Sequence, residues 1–153
     1  MDLRDLYQDI ILDHARRPRN FRAPNNHSHH ADGHNPLCGD QISIFLQIDD
    51  QRIAGVSFQG HGCAISTASA SLMTEILTGL TLAEAEAMFH AFHLLVTEGT
   101  AMAVAPELED AAERLEPLAG VRAYPARVKC ATLAWHTFDA ALHGGTRDSV
   151  KTE

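Results

Sequence analysis

Hydrophobic residues recur every three or four positions in several long segments of the chain, which is the spacing of a helix with one buried face. The first stripe lies before Pro18, whose ring cannot continue a helix, and it consists of Leu3, Leu6, Tyr7, Ile10, Ile11 and His14. The second stripe runs over 65–77 and ends near Gly79. The third follows Thr81 and Glu84, which fit a capping box. Three helices are therefore predicted in the first two thirds of the chain.

The C-terminal third predicts two more helices. A short stripe from Pro106 to Leu118 indicates an acidic helix, with the proline in its first turn. A longer stripe that includes Leu133, Trp135 and Phe138 predicts a last helix, which we expect to begin near Cys130 and to end before the glycines at 144–145.

Apolar and polar residues alternate over 42–48 and again in 53–59, which is typical of two antiparallel strands joined by the turn at 49–52. Between Pro18 and Pro36 no period is visible, and we predict a surface loop. Two to three strands followed mainly by helix predict an α+β fold, in which a small antiparallel sheet packs against about five helices. Residues 1–145 are expected to form one domain and residues 146–153 a flexible polar tail.

The composition and net charge argue against several classes of protein. The 153 residues are 45% hydrophobic and 21% charged, as in soluble globular domains. Twelve Lys and Arg against twenty Asp and Glu leave a net charge of −8, which argues against binding to nucleic acid or to an anionic membrane. No apolar run reaches spanning length, and the acidic start does not resemble a signal peptide, so we expect a cytoplasmic protein.

Three cysteines mark junctions between the predicted elements, and their odd number cannot form a closed set of disulfides. Cys38 and Asp40 flank Gly39 at the entry to the first predicted strand, where side chains two positions apart point to the same side. Cys63 immediately precedes a predicted helix, and Cys130 is expected to open the last one, so that a helix N-terminus would favour each thiolate. Together they offer three thiols and one carboxylate to a thiophilic ion, most simply tetrahedral Zn²⁺.

The alternative is that the three cysteines are small buried hydrophobes, the common fate of an unbridged cysteine. Their placement at polar, glycine-flanked junctions favours a shared site. Such a site would be anionic, and Arg127 and Lys129, just before the third cysteine, are candidates to offset its charge. His61 is either a hydrogen-bond donor beside this site or a simple turn residue.

Four histidines cluster in the predicted loop, namely His27, His29, His30 and His34. We interpret them as part of a solvated polar loop, with a metal site as the alternative. A hydrolase that uses Cys63 with His61 is disfavoured, because the sequence contains nothing like a nucleophile elbow or an oxyanion loop.

Three segments carry a resemblance to a known family: 35–40 (NPLCGD), 60–66 (GHGCAIS) and 127–133 (RVKCATL). In this order they resemble the ligand segments of the U-type iron–sulfur cluster assembly proteins, which comprise IscU, SufU and the N-terminal domain of NifU. The opening helix and the RPRN segment at 17–20 are also similar to that family. The resemblance covers about residues 3–142, and it implies the IscU/SufU-like fold with Cys38, Asp40, Cys63 and Cys130 as metal ligands.

Two features resemble the SufU branch of the family. Lys129 stands where IscU-like scaffolds carry a histidine, and the stretch between the second and third cysteines is longer than in IscU by about one helix. The resemblance to SufU implies a zinc-dependent sulfurtransferase whose Cys38 accepts persulfide sulfur from a SufS-type cysteine desulfurase and relays it to a downstream iron–sulfur scaffold. In that branch a desulfurase histidine displaces the acceptor cysteine from zinc.

Two other functions remain open. An IscU-like scaffold would build and transfer a [2Fe–2S] cluster, or bind iron, on the same ligands. A purely structural zinc site would hold the fold together without any effect on a desulfurase.

Overall fold

The computed structural model describes residues 3–36, 39–144 and 150–151. Helix α1 (Leu3–Arg16) precedes the strands β1 (His29–Asn35), β2 (Asp40–Asp49) and β3 (Arg52–His61). The chain continues through α2 (Ala64–Leu77), α3 (Leu82–Glu98), a 3₁₀ turn (Pro106–Leu108), α4 (Glu109–Glu113), a second 3₁₀ segment (Glu116–Ala123), α5 (Pro125–Leu142) and β4 (Val150–Lys151).

The sheet has the strand order β3-β2-β1-β4, with antiparallel pairing between β1, β2 and β3. The short β4 pairs in parallel with Gly33 and His34 of β1. Asp50 and Gln51 both have positive φ, at 50° and 64°, so a type I′ turn joins β2 to β3, as right-handed strand twist favours. The predicted α+β class and small antiparallel sheet are confirmed.

The hydrophobic core lies between the inner face of the sheet and the helices. Alternate residues of β2 are buried, namely Ile42, Ile44 and Leu46, and the largest buried side chain is Trp135 of α5. The predicted capping box opens α3: Oγ1 of Thr81 accepts the N–H of Glu84, and Oε1 of Glu84 accepts the N–H of Thr81. The first three predicted helices are confirmed.

The prediction that 18–36 forms a loop is wrong for the seven residues His29–Asn35, which form β1. This strand has no apolar alternation because its inward positions hold Ala31, Gly33 and Asn35, all buried. A Cβ at Gly33 would overlap the hydroxyl of Thr137 on α5, so the helix lies too close for a larger side chain. Pairing with β2 and close packing of α5 therefore stabilise a strand that period-based analysis does not detect.

The two predictions for the C-terminal third need correction. The last helix begins at Pro125 and not near Cys130, because its first turn is exposed and carries no hydrophobic stripe. The single helix predicted from Pro106 to Leu118 is broken into two 3₁₀ segments around α4, and Pro117, which lacks an N–H, lies in the second.

The RPRN segment docks α1 onto α2 through a buried polar network. Oγ of Ser71 accepts the backbone N–H of Arg19 at 2.9 Å and lies 2.7 Å from Nδ1 of the buried His14. Asn20 adopts a left-handed conformation, and its carbonyl accepts the N–H of Phe58 at 3.0 Å. These bonds anchor α1 to both α2 and β3.

Within the parts of the chain that the structure describes, no helix combines the length and the apolarity that crossing a bilayer would require. Of the predicted tail at 146–153, only the two residues of β4 are described. The division into a domain at 1–145 and a tail stays a prediction.

Candidate metal centre

Asp40 is placed by the tight connection between β1 and β2. It is the first residue of β2 and lies opposite Asn35, the last residue of β1. Gly39 has φ of +74°, a left-handed conformation that favours glycine, and its N–H donates to the carbonyl of Asn35 at 2.8 Å. The Asp40 side chain is 1% exposed, so this turn directs a carboxylate into the protein interior.

Cys63 is the N-cap of α2, as its position before the helix predicted. Its Sγ accepts the N–H of Ser66 at 3.5 Å, and its own N–H donates to Oδ1 of Asp40 at 3.0 Å. The first interaction places the sulfur at the positive end of a helix, where a thiolate is stabilised. The second fixes the carboxylate against the same chain junction.

Cys130 is fully buried and is the sixth residue of α5, so the prediction that it opens the helix is wrong. Its sulfur consequently lies inside the helix–sheet interface and not at a helix N-terminus. The side-chain amide of Asn35, itself fully buried, donates to this sulfur from Nδ2 at 3.9 Å. The Cys130 sulfur therefore contacts an amide donor from β1, and not the helix N-terminus that the sequence predicted.

The ligating atoms of Asp40, Cys63 and Cys130 all lie within 4.8 Å of one another. Oδ2 of Asp40 is buried and has no hydrogen-bond partner among the described residues, so it is available to an ion. Two sulfurs and one carboxylate oxygen at this spacing suit a tetrahedral Zn²⁺ that takes a fourth ligand. These residues therefore fit the implied metal.

Cys38, the predicted fourth ligand and sulfur acceptor, lies outside the described residues. Its role as a ligand stays a prediction.

The other predicted site residues are close to Cys63 or Cys130 along the chain. Arg127 is exposed on the first turns of α5 and lines a groove of about 850 Å³ together with Tyr7, Ile65 and Tyr124. Lys129 is half-buried directly before Cys130, and His61 is exposed at the end of β3. Their electrostatic and hydrogen-bonding roles stay predictions.

Two members of the histidine-rich segment, His30 and His34, alternate along β1 with the inward residues Ala31, Gly33 and Asn35, so they lie on the outer side of the sheet. His30 stacks on Phe45 with ring centroids 4.9 Å apart, and its Nε2 lies 2.9 Å from Oδ1 of Asp32. Part of the segment is therefore strand, where the sequence predicted a loop.

Two residues of the site escaped the sequence analysis. Asn35 could be noticed only as the first letter of the NPLCGD segment, because a polar residue at the end of a polar stretch gives no periodic signal. Gly62 packs against Asp40, and a Cβ there would lie 2.6 Å from Oδ1 of that carboxylate. Both depend on contacts between residues far apart in the chain.

Comparison with known proteins places these features in a family. The sequence model of the family named NifU-like N-terminal domain matches residues 6–131 of this chain. The chain is 38% identical over 146 residues to the iron–sulfur cluster assembly scaffold protein IscU of Streptococcus pyogenes serotype M1, covering 92% of this chain and 84% of that protein. It is 36% identical over 141 residues to the zinc-dependent sulfurtransferase SufU of Bacillus subtilis (strain 168), covering 92% of each.

Solved structures agree with this comparison. The crystal structure of FiSufU from Fervidobacterium islandicum AW-1 superposes with a TM-score of 0.77 at 30% identity, over 92% of this chain and 99% of that chain. The N-terminal part of a NifU-like protein from Brucella abortus has the same fold, with a TM-score of 0.77 at 23% identity, over 92% and 94% of the two chains. The chain belongs to the NifU-like N-terminal domain family, and it is an iron–sulfur cluster assembly protein of the IscU/SufU type.

Proposed function

We propose that this protein is a zinc-dependent sulfurtransferase that accepts persulfide sulfur on Cys38 from a SufS-type cysteine desulfurase and relays it to an iron–sulfur scaffold. The ligands in this proposal are Cys38, Asp40, Cys63 and Cys130. The main support is the buried group of two sulfurs and one carboxylate, whose free oxygen has no partner among the described residues. Lys129 in place of the histidine of IscU-like scaffolds favours the relay.

Zinc, when bound, keeps the ligating thiols deprotonated at neutral pH. The reaction itself is a displacement at sulfur. The thiolate of Cys38 attacks the terminal sulfur of the desulfurase persulfide, a new S–S bond forms on Cys38, and the old S–S bond breaks to return a thiolate to the desulfurase. Electrons and atoms balance without an external oxidant or reductant. The same displacement passes the sulfur onward.

The residues around the centre have different roles in this proposal. Cys63 caps α2, Cys130 lies within α5, and Oδ1 of Asp40 accepts the N–H of Cys63, so these three ligands form a fixed base. Cys38 supplies the thiol that accepts sulfur in this proposal. Replacement of Cys38 therefore removes the acceptor and leaves the other three ligands unchanged.

A second candidate function is a scaffold on which a [2Fe–2S] cluster is assembled with the same ligands. It is supported by the IscU of Streptococcus pyogenes, which is 38% identical and is named a scaffold protein. The donor set does not separate the two functions, because thiolates bind both zinc and iron–sulfur clusters. A purely structural zinc site is the third candidate.

The decisive experiment measures turnover of the cognate cysteine desulfurase with and without this protein, as wild type, Cys38→Ala and Asp40→Ala. The relay predicts a colourless protein with stoichiometric zinc that stimulates turnover, and loss of that stimulation in Cys38→Ala while the circular dichroism spectrum is retained. Thr97→Ala, which removes an exposed hydroxyl on α3, is the control and should behave like the wild type.

Each alternative predicts a different outcome. Unchanged stimulation by Cys38→Ala would rule out Cys38 as the acceptor. A brown protein that contains iron and acid-labile sulfide would support the scaffold. Zinc without any effect of the wild type on the desulfurase would support the structural site.

A further inference from the structure

Two buried side-chain polar atoms have no hydrogen-bond partner in the part of the chain that the structure describes. One is Oδ2 of Asp40, which the proposed zinc would engage. The other is Nδ1 of His93 on α3, which the proposed function does not use. A buried donor or acceptor without a partner is costly, so an ion or an ordered water is the usual explanation for it.

The ring of His93 faces a second imidazole across the helix interface. His136 of α5 has its ring centroid 5.6 Å from that of His93, with the two planes at 74°. Phe89 packs edge-on against both rings, with centroids 5.4 Å from His136 and 6.3 Å from His93. Phe89 therefore packs against both imidazoles. The distance between the two rings follows from how α3 packs against α5.

This distance suits two imidazoles bound to one ion. A metal–nitrogen bond of about 2 Å puts a ring centroid about 3 Å from the ion, so two rings on one tetrahedral ion have centroids about 5–6 Å apart. The observed separation of 5.6 Å falls in this range. The spacing of the two rings is therefore compatible with a shared ion.

The charge state of His136 also suits metal binding. Burial, and then the neighbouring His93, lower the pKa of His136 below its ordinary value, although Asp139 opposes this effect. His136 is therefore neutral at neutral pH, with a lone pair available to a ligand. Further along the same interface, His143 lies 3.5 Å from carboxylate oxygens of both Glu86 and Asp139, so the local charges are mixed.

We propose that His93 and His136 bind a divalent transition-metal ion between α3 and α5, and that Asp139 or water completes its coordination. Imidazole nitrogen suits Zn²⁺, Ni²⁺ and Cu²⁺. Among the described residues, three ligating atoms already lie within 4.8 Å of one another only at the cysteine centre. The histidine site therefore fills after that centre and binds more weakly. A bound ion would tie α3 to the helix that carries Cys130.

Trp135 provides a local probe for this site. It is the single tryptophan of the chain, it is fully buried, and it directly precedes His136. Its ring stacks on Phe92, the neighbour of His93, with centroids 4.8 Å apart. Because a paramagnetic ion quenches fluorescence at short range, Ni²⁺ added to the zinc-loaded full-length protein should quench Trp135 saturably, with about one equivalent bound.

Substitutions of single histidines test whether the quenching arises from an ion bound by His93 and His136. His93→Gln and His136→Gln should each weaken Ni²⁺ binding about tenfold or more, since one of two imidazole ligands is lost. His90→Gln on the exposed side of α3 and His30→Gln on the outer face of the sheet are matched controls, and both should quench like the wild type.

Quenching that is absent, that does not saturate, or that persists in both His93→Gln and His136→Gln would overturn the proposal. If either variant fails to fold, the imidazole ¹⁵N resonances of the wild type decide instead. Those of His93 and His136 should shift on addition of a second equivalent of Zn²⁺, and unchanged resonances would overturn the proposal. None of these readouts depends on sulfur transfer, so the histidine site and the proposed function can fail separately.

Discussion

The backbone N–H of Cys63 donates to Oδ1 of Asp40 at 3.0 Å and leaves Oδ2 of the same carboxylate buried without a partner among the described residues. One oxygen thus orients the side chain, and the other is available to the metal. Hydrogen bonds of this kind hold a ligand in place before the ion arrives and raise the affinity of a site. In the proposed zinc site, Asp40 is therefore a ligand whose carboxylate is positioned by the backbone of a second proposed ligand, Cys63.

Gly62→Ala should weaken zinc binding by about tenfold to a hundredfold, the range found when a group that orients a ligand is lost. A Cβ at this position would lie 2.6 Å from Oδ1 of Asp40, so the carboxylate must move. Competition with a chromophoric chelator measures the affinity. Gly55→Ala on β3 is the control, because no atom lies within 4 Å of its added Cβ. Equal affinities of the two variants would show that the position of the carboxylate does not control binding.

Asn35→Asp should also weaken zinc binding, and more than Asn35→Ala does. The amide of Asn35 donates to the sulfur of Cys130 at 3.9 Å, and an aspartate would replace this donor with a second negative charge beside an anionic ligand set. Both variants leave the N–H of Gly39 bound to the backbone carbonyl of residue 35, so the turn is retained. Isothermal titration with zinc tests the predicted ranking of affinities, in which the wild type binds most tightly and Asn35→Asp least tightly. An Asn35→Asp protein that binds zinc as tightly as the wild type would contradict this prediction.

The free energy of unfolding should fall as the pH decreases from about 7.5 to about 5.5, partly through His14. Burial, and then the nearby Arg19, lower the pKa of this imidazole in the folded state. The unfolded chain therefore binds the proton more readily, and the stabilisation that is complete above the ordinary pKa is lost as the pH falls below it. The hydroxyl of Ser71 accepts the N–H of Arg19 and is placed to donate to Nδ1, which favours neutral His14.

Chemical denaturation of the wild type and His14→Gln, at equal zinc loading, isolates this contribution. The variant should be less stable near pH 7.5 and should lose less stability on acidification. His90→Gln, at an exposed position on α3, should follow the wild type. The raised pKa of His143, caused first by its hydrogen bond to the carbonyl of Asp139, acts in the opposite direction in both proteins. Parallel curves for wild type and His14→Gln would contradict the prediction.

Gly33→Ala should lower the free energy of unfolding by about 1–3 kcal/mol, the usual cost of an extra methyl in a close-packed interior. The new Cβ would overlap the hydroxyl of Thr137 and approach Leu133, which hold α5 against β1. Thr137→Ala removes the overlapping group, so the double variant should recover part of the loss. Additive effects of the two substitutions would indicate that Gly33 and Thr137 are not coupled.

The sequence by itself determined the elements that carry their own local signal. The stripes of α1, α2 and α3, the capping box of Thr81 and Glu84, and the alternation in β2 appear in the structure as predicted. Cys63 as an N-cap belongs to the same group, because its position before a helical stripe is a local feature. The three cysteine segments and their order also pointed to the correct family, because each segment carries a local motif that can be read from the sequence.

Only the tertiary structure decided the rest. Strand β1 exists because its backbone pairs with β2 and because α5 packs closely against Gly33, and neither cause leaves a periodic pattern in the sequence. The burial of Cys130 within α5, the amide of Asn35 beside its sulfur, and the pair of His93 and His136 join residues 43 to 95 positions apart. Such contacts depend on how helices dock on the sheet, which hydrophobic periodicity within single elements does not specify.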